Sequence, residues 1–203
     1  MADIVAIVDT GVANIASLIA AFERLGYEAE LTRDSEHIES APYLTLPGVG
    51  AFAAGMKTLR EAGLVDVLRE RFEQGRPSLA VCLGMQLLAR KSEESPGVDG
   101  LGVVDVDVNR FADEVRVPQF GWNEVEASAD CDLLSDGYAY FANSYCIMDR
   151  PEGWAVATSE YGGPFVAAME RGAVLACQFH PEISGPWGLS LLESWLERGA
   201  SRC

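Results

Sequence analysis

The sequence predicts an α/β protein, an open sheet with flanking helices and additional β-structure in its C-terminal half. Three observations predict it. Over residues 1–90, apolar runs of strand length alternate with segments that are apolar at helical spacing, the pattern of a doubly wound sheet covered on both faces. One of those runs breaks into a helix-forming segment at Cys82. Beyond residue 100 the alternation gives way to short strand-like runs separated by turn residues. The 203 residues suffice for one sizeable core, so a single domain over 1–203 is expected.

Asp3 to Asp9 is a continuous apolar run bounded by acids and closed by Thr10-Gly11, as a buried parallel strand would be. Asn14 is placed to cap a helix in which Ile15, Leu18, Ile19 and Phe22 share a face, and Gly26 to stop it. Residues 27–31 and 43–46 give the second and third strands. Pro47-Gly-Val-Gly-Ala-Phe52 follows, and its glycines permit backbone conformations closed to other residues, so this loop can aim N–H groups. With neither a dinucleotide fingerprint nor a Gly-Lys-Ser/Thr pattern, a phosphate cradle is the weaker reading. A long helical pattern covers 54–74, and a polar loop 92–100. Strand-like runs then fall at 101–108, 114–117, 138–142, 155–158, 165–169 and 173–179. A final helix is expected over 188–197, with Leu189, Leu192, Trp195 and Leu196 on one face.

The stretch from Ser78 to Leu88 is the one the chain is organised around. The apolar run ends at a thiol, Cys82, and mostly good helix formers follow Gly84. A nucleophile on such a strand-to-helix elbow sits in a strained turn with small neighbours, here Ala80 and Gly84, that let substrate approach. The free N–H groups and positive dipole end of a helix N-terminus favour negative charge on sulfur. The Leu83 N–H is then placed to receive an oxyanion. Gln86 lies one helical turn on, where its amide could contact substrate. Taken alone, Cys82 reads better as a buried structural cysteine.

What favours the catalytic reading lies a hundred residues away. With two histidines in the chain, the search for a general base is short. His37 sits in a polar, solvated segment. His180 ends a strand-like run and precedes Pro181 and Glu182. Proline pushes the preceding residue toward extended geometry, so residues 180 and 182 project to one side and can meet. Cysteine, histidine and carboxylate then supply nucleophile, base and orienter.

Composition narrows the function. Fifteen basic against thirty-one acidic residues give a net charge of −16, which disfavours nucleic acid and anionic membrane and suits a basic partner surface. Five cysteines without CxxC spacing indicate neither a disulfide framework nor a zinc site. Neither a metal nor a cofactor is expected. A cytoplasmic protein without leader or membrane anchor is the expectation.

With Ala80-Val-Cys-Leu-Gly-Met-Gln86, Pro47-Gly-Val-Gly50 and Gln178-Phe-His-Pro-Glu182 in view, the chain resembles the class I, triad-type glutamine amidotransferases, and most of all the glutaminase subunits of imidazole glycerol phosphate synthase. The likeness runs on through Asp9 to Asn14, Leu46 to Phe52, Val117 to Asn123, Tyr140 to Tyr145 and Tyr161 to Ala168. It implies a flavodoxin-like sheet and a Cys82, His180, Glu182 triad that hydrolyses L-glutamine to glutamate and ammonia. It further implies an oxyanion hole at Leu83, Val49 and Gly50, and a glutamine site at Gly48, Gly50, Gln86, Ser144 and Tyr145. It implies a heterodimer with a (βα)8-barrel cyclase subunit, which uses channelled ammonia to make imidazole glycerol phosphate and an aminoimidazole carboxamide ribotide (AICAR) in histidine biosynthesis. The Gly121-Trp-Asn123 segment would lie near that partner. Ala80, Gln119-Phe120, Ala142-Asn143, Ile183, Thr10 and Ala13 depart from the usual pattern. The alternatives are a glutaminase for an anthranilate or pyridoxal phosphate synthase, and a silent binding module of the same fold. Met85 and the Leu46-Pro-Gly-Val-Gly loop weigh against the anthranilate type, and the Cys82-Leu-Gly-Met-Gln86 run against the pyridoxal phosphate type.

Overall fold

The computed structural model describes residues 4–11 and 15–200. In chain order the elements are β1 (Ile4–Val8), α1 (Ile15–Arg24), β2 (Glu28–Thr32), α2 (Ser35–Ser40), β3 (Tyr43–Gly48), α3 (Phe52–Glu61), α4 (Val65–Glu73), β4 (Ser78–Cys82) and α5 (Leu83–Leu87). The second half adds β5 (Lys91–Ser92), β6 (Asp107–Arg110), β7 (Gln119–Ala127), β8 (Gly137–Asn143), β9 (Tyr145–Ile147), β10 (Ala155–Glu160), β11 (Pro164–Arg171), β12 (Val174–Cys177), a 3-10 turn (Pro181–Ile183) and α6 (Gly185–Ala200).

The strands form one mixed sheet in the order β2-β1-β3-β4-β12-β11-β10-β7-β8, with β5, β6 and β9 branching from β11. The stretch from β2 to β12 is parallel, and β11 to β8 antiparallel. Strand periodicity sorts the core between two faces. Ala6, Val8, Leu44, Leu46 and Ala80 pack with Phe52, Met56, Leu59, Leu68 and Phe72 of α3 and α4. Val5, Ile7, Leu79 and Val81 pack with Leu18 and Phe22 of α1 and Leu192 and Trp195 of α6. Burial of β3 and β4 on both faces explains why those runs are apolar apart from Thr45 and Ser78.

The α/β open sheet and its β-rich second half are as expected, but several elements differ. The single helix over 54–74 is two helices. Gly63 adopts φ 68° after α3, and the Gly63 and Leu64 N–H groups close back on the Arg60 and Leu59 carbonyls, which ends the helix. The helix after Cys82 is only five residues long. Leu101, Gly102 and Val104 donate to the carbonyls of Leu87, Ala89 and Leu88, so 101–104 caps that helix instead of forming a strand. Residues 114–117 are turn and bend, and the strand of this region is β7, just beyond them. α2 is an addition, capped by the Asp34 side chain, which accepts from the Glu36 N–H at 2.9 Å. Its His37 is half-buried on a helix whose buried residue is Ile38. The Asn14 cap and Ala13 lie outside the described residues. Among the described residues, no helix is long and apolar enough to cross a membrane.

Candidate active site

Cys82 is the last residue of β4, directly before α5, with φ 54° and ψ −110°. It has the one positive φ among the described non-glycine residues, so the elbow is strained as expected. β3 and β4 pair in parallel register with Gly48 opposite Cys82, which sets the loop after β3 beside the sulfur. The Leu83 N–H heads α5, where helix geometry gives it no partner within the helix. Gly84 has a different reason for being small than access to substrate. A Cβ there would lie 1.9 Å from the Leu46 carbonyl oxygen, so the glycine lets the elbow sit on β3.

His180 follows β12, the strand next to β4, in extended geometry (φ −101°, ψ 94°) ahead of Pro181. Its N–H donates to the Tyr140 carbonyl at 3.0 Å, and its carbonyl accepts from the Ser184 hydroxyl at 2.6 Å. Ser184 in turn accepts the Tyr140 N–H at 3.0 Å, so the imidazole hangs from a backbone clamped to β8. Nδ1 lies 2.9 Å from Glu182 Oε1, which leaves Nε2 for the Cys82 sulfur. The Glu182 side chain is 2% exposed, and its Oε2 has no hydrogen-bond partner, so its charge is directed at the ring. Burial alone would lower the His180 pKa. Hydrogen bonds to Cys82 and to Glu182, with the charges of both, outweigh burial and raise it from 6.5 to about 10.

A cavity of about 500 Å³ opens over the sulfur, lined by Val49, Gly50, Cys82, Leu83, Gln86, Ser144, Tyr145 and His180. Cys82, His180, the expected oxyanion donors and most of the expected glutamine contacts thus meet in one place. Gly48 does not line this cavity. It ends β3 beneath the loop, where a Cβ would lie 2.9 Å from Leu83 Cβ, so it packs the elbow and leaves Val49–Gly50 as the peptide with room to turn. Gly50 keeps φ 93° with open space where a Cβ would be. Gln86 Nε2 donates to the Tyr145 carbonyl and to Gln178 Oε1, both at 2.9 Å, so Oε1 is the atom it can offer a ligand.

Sequence reasoning missed Glu94, the acid that lines this cavity. Its Oε2 accepts the Phe52 N–H at 2.6 Å and Ser95 accepts the Ala53 N–H, which caps α3 where the N-cap residue Ala51 has no side chain to do so. Of the remaining described cysteines, burial holds Cys146 up at about 12 and Cys177 well above the ordinary thiol range, and raises Cys131. All four described cysteines are free thiols.

A family model described as glutamine amidotransferase class-I matches residues 6–198. The HisH subunit of imidazole glycerol phosphate synthase from Escherichia coli K12 is 43% identical over 198 residues, covering 95% of this chain and 98% of the relative. The HisH subunit from Moorella thermoacetica is 41% identical over 197 residues, covering 95% of this chain and 94% of its own. Among solved structures, a glutamine amidotransferase superposes with a TM-score of 0.77 at 27% identity, covering 97% and 98% of the two chains. A GMP synthase-type protein from Thermoplasma acidophilum shares the fold, with a TM-score of 0.75 at 17% identity over 100% and 96%. The chain belongs to the class-I glutamine amidotransferases.

Proposed function

We propose that this chain is the glutaminase subunit of an imidazole glycerol phosphate synthase. The observation that carries the reading is the convergence of Cys82, His180 and the Val49–Gly50 loop on one cavity, in a chain 41–43% identical to HisH subunits along nearly its whole length. Cys82 attacks the side-chain amide carbon of L-glutamine, and the Leu83 and Gly50 N–H groups receive the oxyanion. His180 gives its proton to departing ammonia, then activates the water that cleaves the γ-glutamyl thioester, with Glu182 holding the ring. The Glu94 carboxylate and Gln86 Oε1 suit the substrate α-ammonium, and Ser144 and Tyr145 complete the wall. In this reading ammonia passes to a (βα)8-barrel cyclase bound as a heterodimer.

The outer face of β7–β8 supports a protein partner. Phe120, Trp122 and Tyr138 are 70%, 58% and 58% exposed and alternate along the two strands, with Phe120 also on the cavity rim. Aromatic clusters of this kind typify interface cores, and this one adjoins the cavity over Cys82 through Phe120.

Glutamine turnover by the isolated chain is expected to be slow, and the cyclase loaded with its ligand to speed it. A misdirected oxyanion donor costs about 10²–10³ in rate, so a partner that reorients the Val49–Gly50 peptide gains a factor of that order. Turnover measured alone, with partner, and with partner plus ligand tests this. Full turnover by the isolated chain, or none gained with the cyclase, contradicts the assignment.

The raised His180 value gives a pH signature. The proton stays on the imidazole at neutral pH and is lost as pH rises through about 10, so turnover in the assembled enzyme should hold through neutral pH and fall there. Glu182→Gln removes one of the interactions that retain the proton, so the fall should move to lower pH. An unmoved alkaline limb in the variant would show that Glu182 gives the ring no electrostatic support.

A further inference from the structure

Gln178 has no part in the reaction described above, yet its side chain reaches the reacting sulfur. It follows β12, is completely buried, and its backbone N–H donates to the Ala167 carbonyl at 2.8 Å. Its Nε2 lies 3.7 Å from Cys82 Sγ, and its Oε1 accepts from Gln86 Nε2 at 2.9 Å. Gln86 Nε2 also donates to the Tyr145 backbone carbonyl, at 2.9 Å.

The direction of this chain of amides is fixed at its far end. A backbone carbonyl only accepts, so Gln86 must turn its NH2 toward Tyr145, and the second proton of that NH2 meets Gln178 Oε1. Gln178 is then left with N–H to present to sulfur. Reversing Gln86 would set its carbonyl oxygen against those of Tyr145 and Gln178, and reversing Gln178 would set its NH2 against that of Gln86; either leaves buried polar groups unmet.

We propose that Gln178 is a positioning residue that holds the Cys82 sulfur by an N–H donor, its orientation set through Gln86 by the Tyr145 carbonyl. The inference rests on Cys82 being the nucleophile. The donor favours one side-chain rotamer at the strained elbow, facing the cavity and His180. It also supports negative charge on sulfur at the two moments when charge is present, before attack on the amide and when the thioester collapses and sulfur leaves. Gln86 and Tyr145 are cavity walls, so the relay ties the substrate pocket to the nucleophile.

The test is the pH dependence of Cys82 alkylation by iodoacetamide, followed by peptide mapping on the full chain, for the parent, Gln178→Met and Gln178→Glu. Methionine keeps the volume and removes the donor. Glutamate keeps the acceptor for Gln86 but turns an anion toward sulfur. A hydrogen bond to a charged group corresponds to about one pH unit, so half-maximal labelling should rise by about that much in Gln178→Met and further in Gln178→Glu. In both, kcat for glutamine should fall more than KM rises. If Gln178→Met does not fold, Gln86→Met breaks the relay one link earlier and should move the labelling curve in the same direction. Labelling curves that coincide with the parent in every folded variant overturn the proposal. Cys82→Ala is run alongside: glutaminase activity surviving in it would remove the nucleophile itself, a failure distinct from that of Gln178.

Discussion

Cys82→Ala is expected to abolish product formation from glutamine in the assembled enzyme while leaving formation from added ammonium salts near the parent level. The expected loss on glutamine is about 10⁶-fold, the order seen when the nucleophile of a catalytic triad is removed. No other described thiol can substitute, because Cys146 and Cys177 are completely buried on other strands and Cys131 lies outside the cavity. On the proposed reading the ammonium reaction needs only the partner, so it reports a working cyclase while the glutamine reaction reports the thiol, and co-purification of the two chains reports assembly. Loss of the glutamine reaction together with co-purification would indicate misfolding or failed docking. Retention of both would exclude Cys82 from the chemistry.

The second large effect is expected at Gly84, which touches no substrate. An added methyl would lie 1.9 Å from the Leu46 carbonyl oxygen and 3.0 Å from its carbon. Both sides of that contact are backbone, β3 on one and the elbow on the other, so no side chain can swing away. Relief requires α5 to lift off β3, and with it the Leu83 N–H and the sulfur. Overpacking of this kind costs about 1–3 kcal/mol of stability, and a displacement of an ångström at a reacting group costs on the order of 10² in rate. Gly84→Ala should therefore lower both Tm and glutamine turnover. A variant with parental Tm and turnover would contradict the close seating of the elbow on β3. Gly50→Ala makes the contrast, since open space surrounds its Cβ position and its penalty comes from φ 93° alone.

Legibility in the sequence follows how locally each feature is determined. The elbow was readable because an apolar run stops at a thiol and a glycine follows two residues later. The meeting of His180 and Glu182 is readable from the single proline between them, although Glu182 lies in a 3-10 turn and not in the extended geometry that reasoning used. The long helix over 54–74 was misread because its apolar spacing continues through Gly63, whose left-handed φ ends α3. The strand expected over 101–108 begins only at Asp107, because the carbonyls that 101–104 satisfies belong to the helix end at Leu87 to Ala89, a pairing without local trace. Glu94 and Gln178 were invisible as site residues for the same reason. Glu94 acts on α3 from 42 residues away, and Gln178 on Cys82 from 96. The close packing at Gly48 and Gly84, where backbone and Leu83 approach, has no local trace in the sequence either.

On the proposed reading, β4, β12 and the loop after β3 bring Cys82, His180 and Glu182 together as one glutamine-cleaving site. Peptide mapping after brief exposure to an electrophilic glutamine analogue tests it most directly. Rapid labelling of Cys82 is expected, slower in Glu182→Gln, with Cys131, Cys146, Cys177 and Cys203 left unmodified on that timescale. Labelling of any of those four at the rate of Cys82, or a Cys82 that stays unmodified, would contradict it.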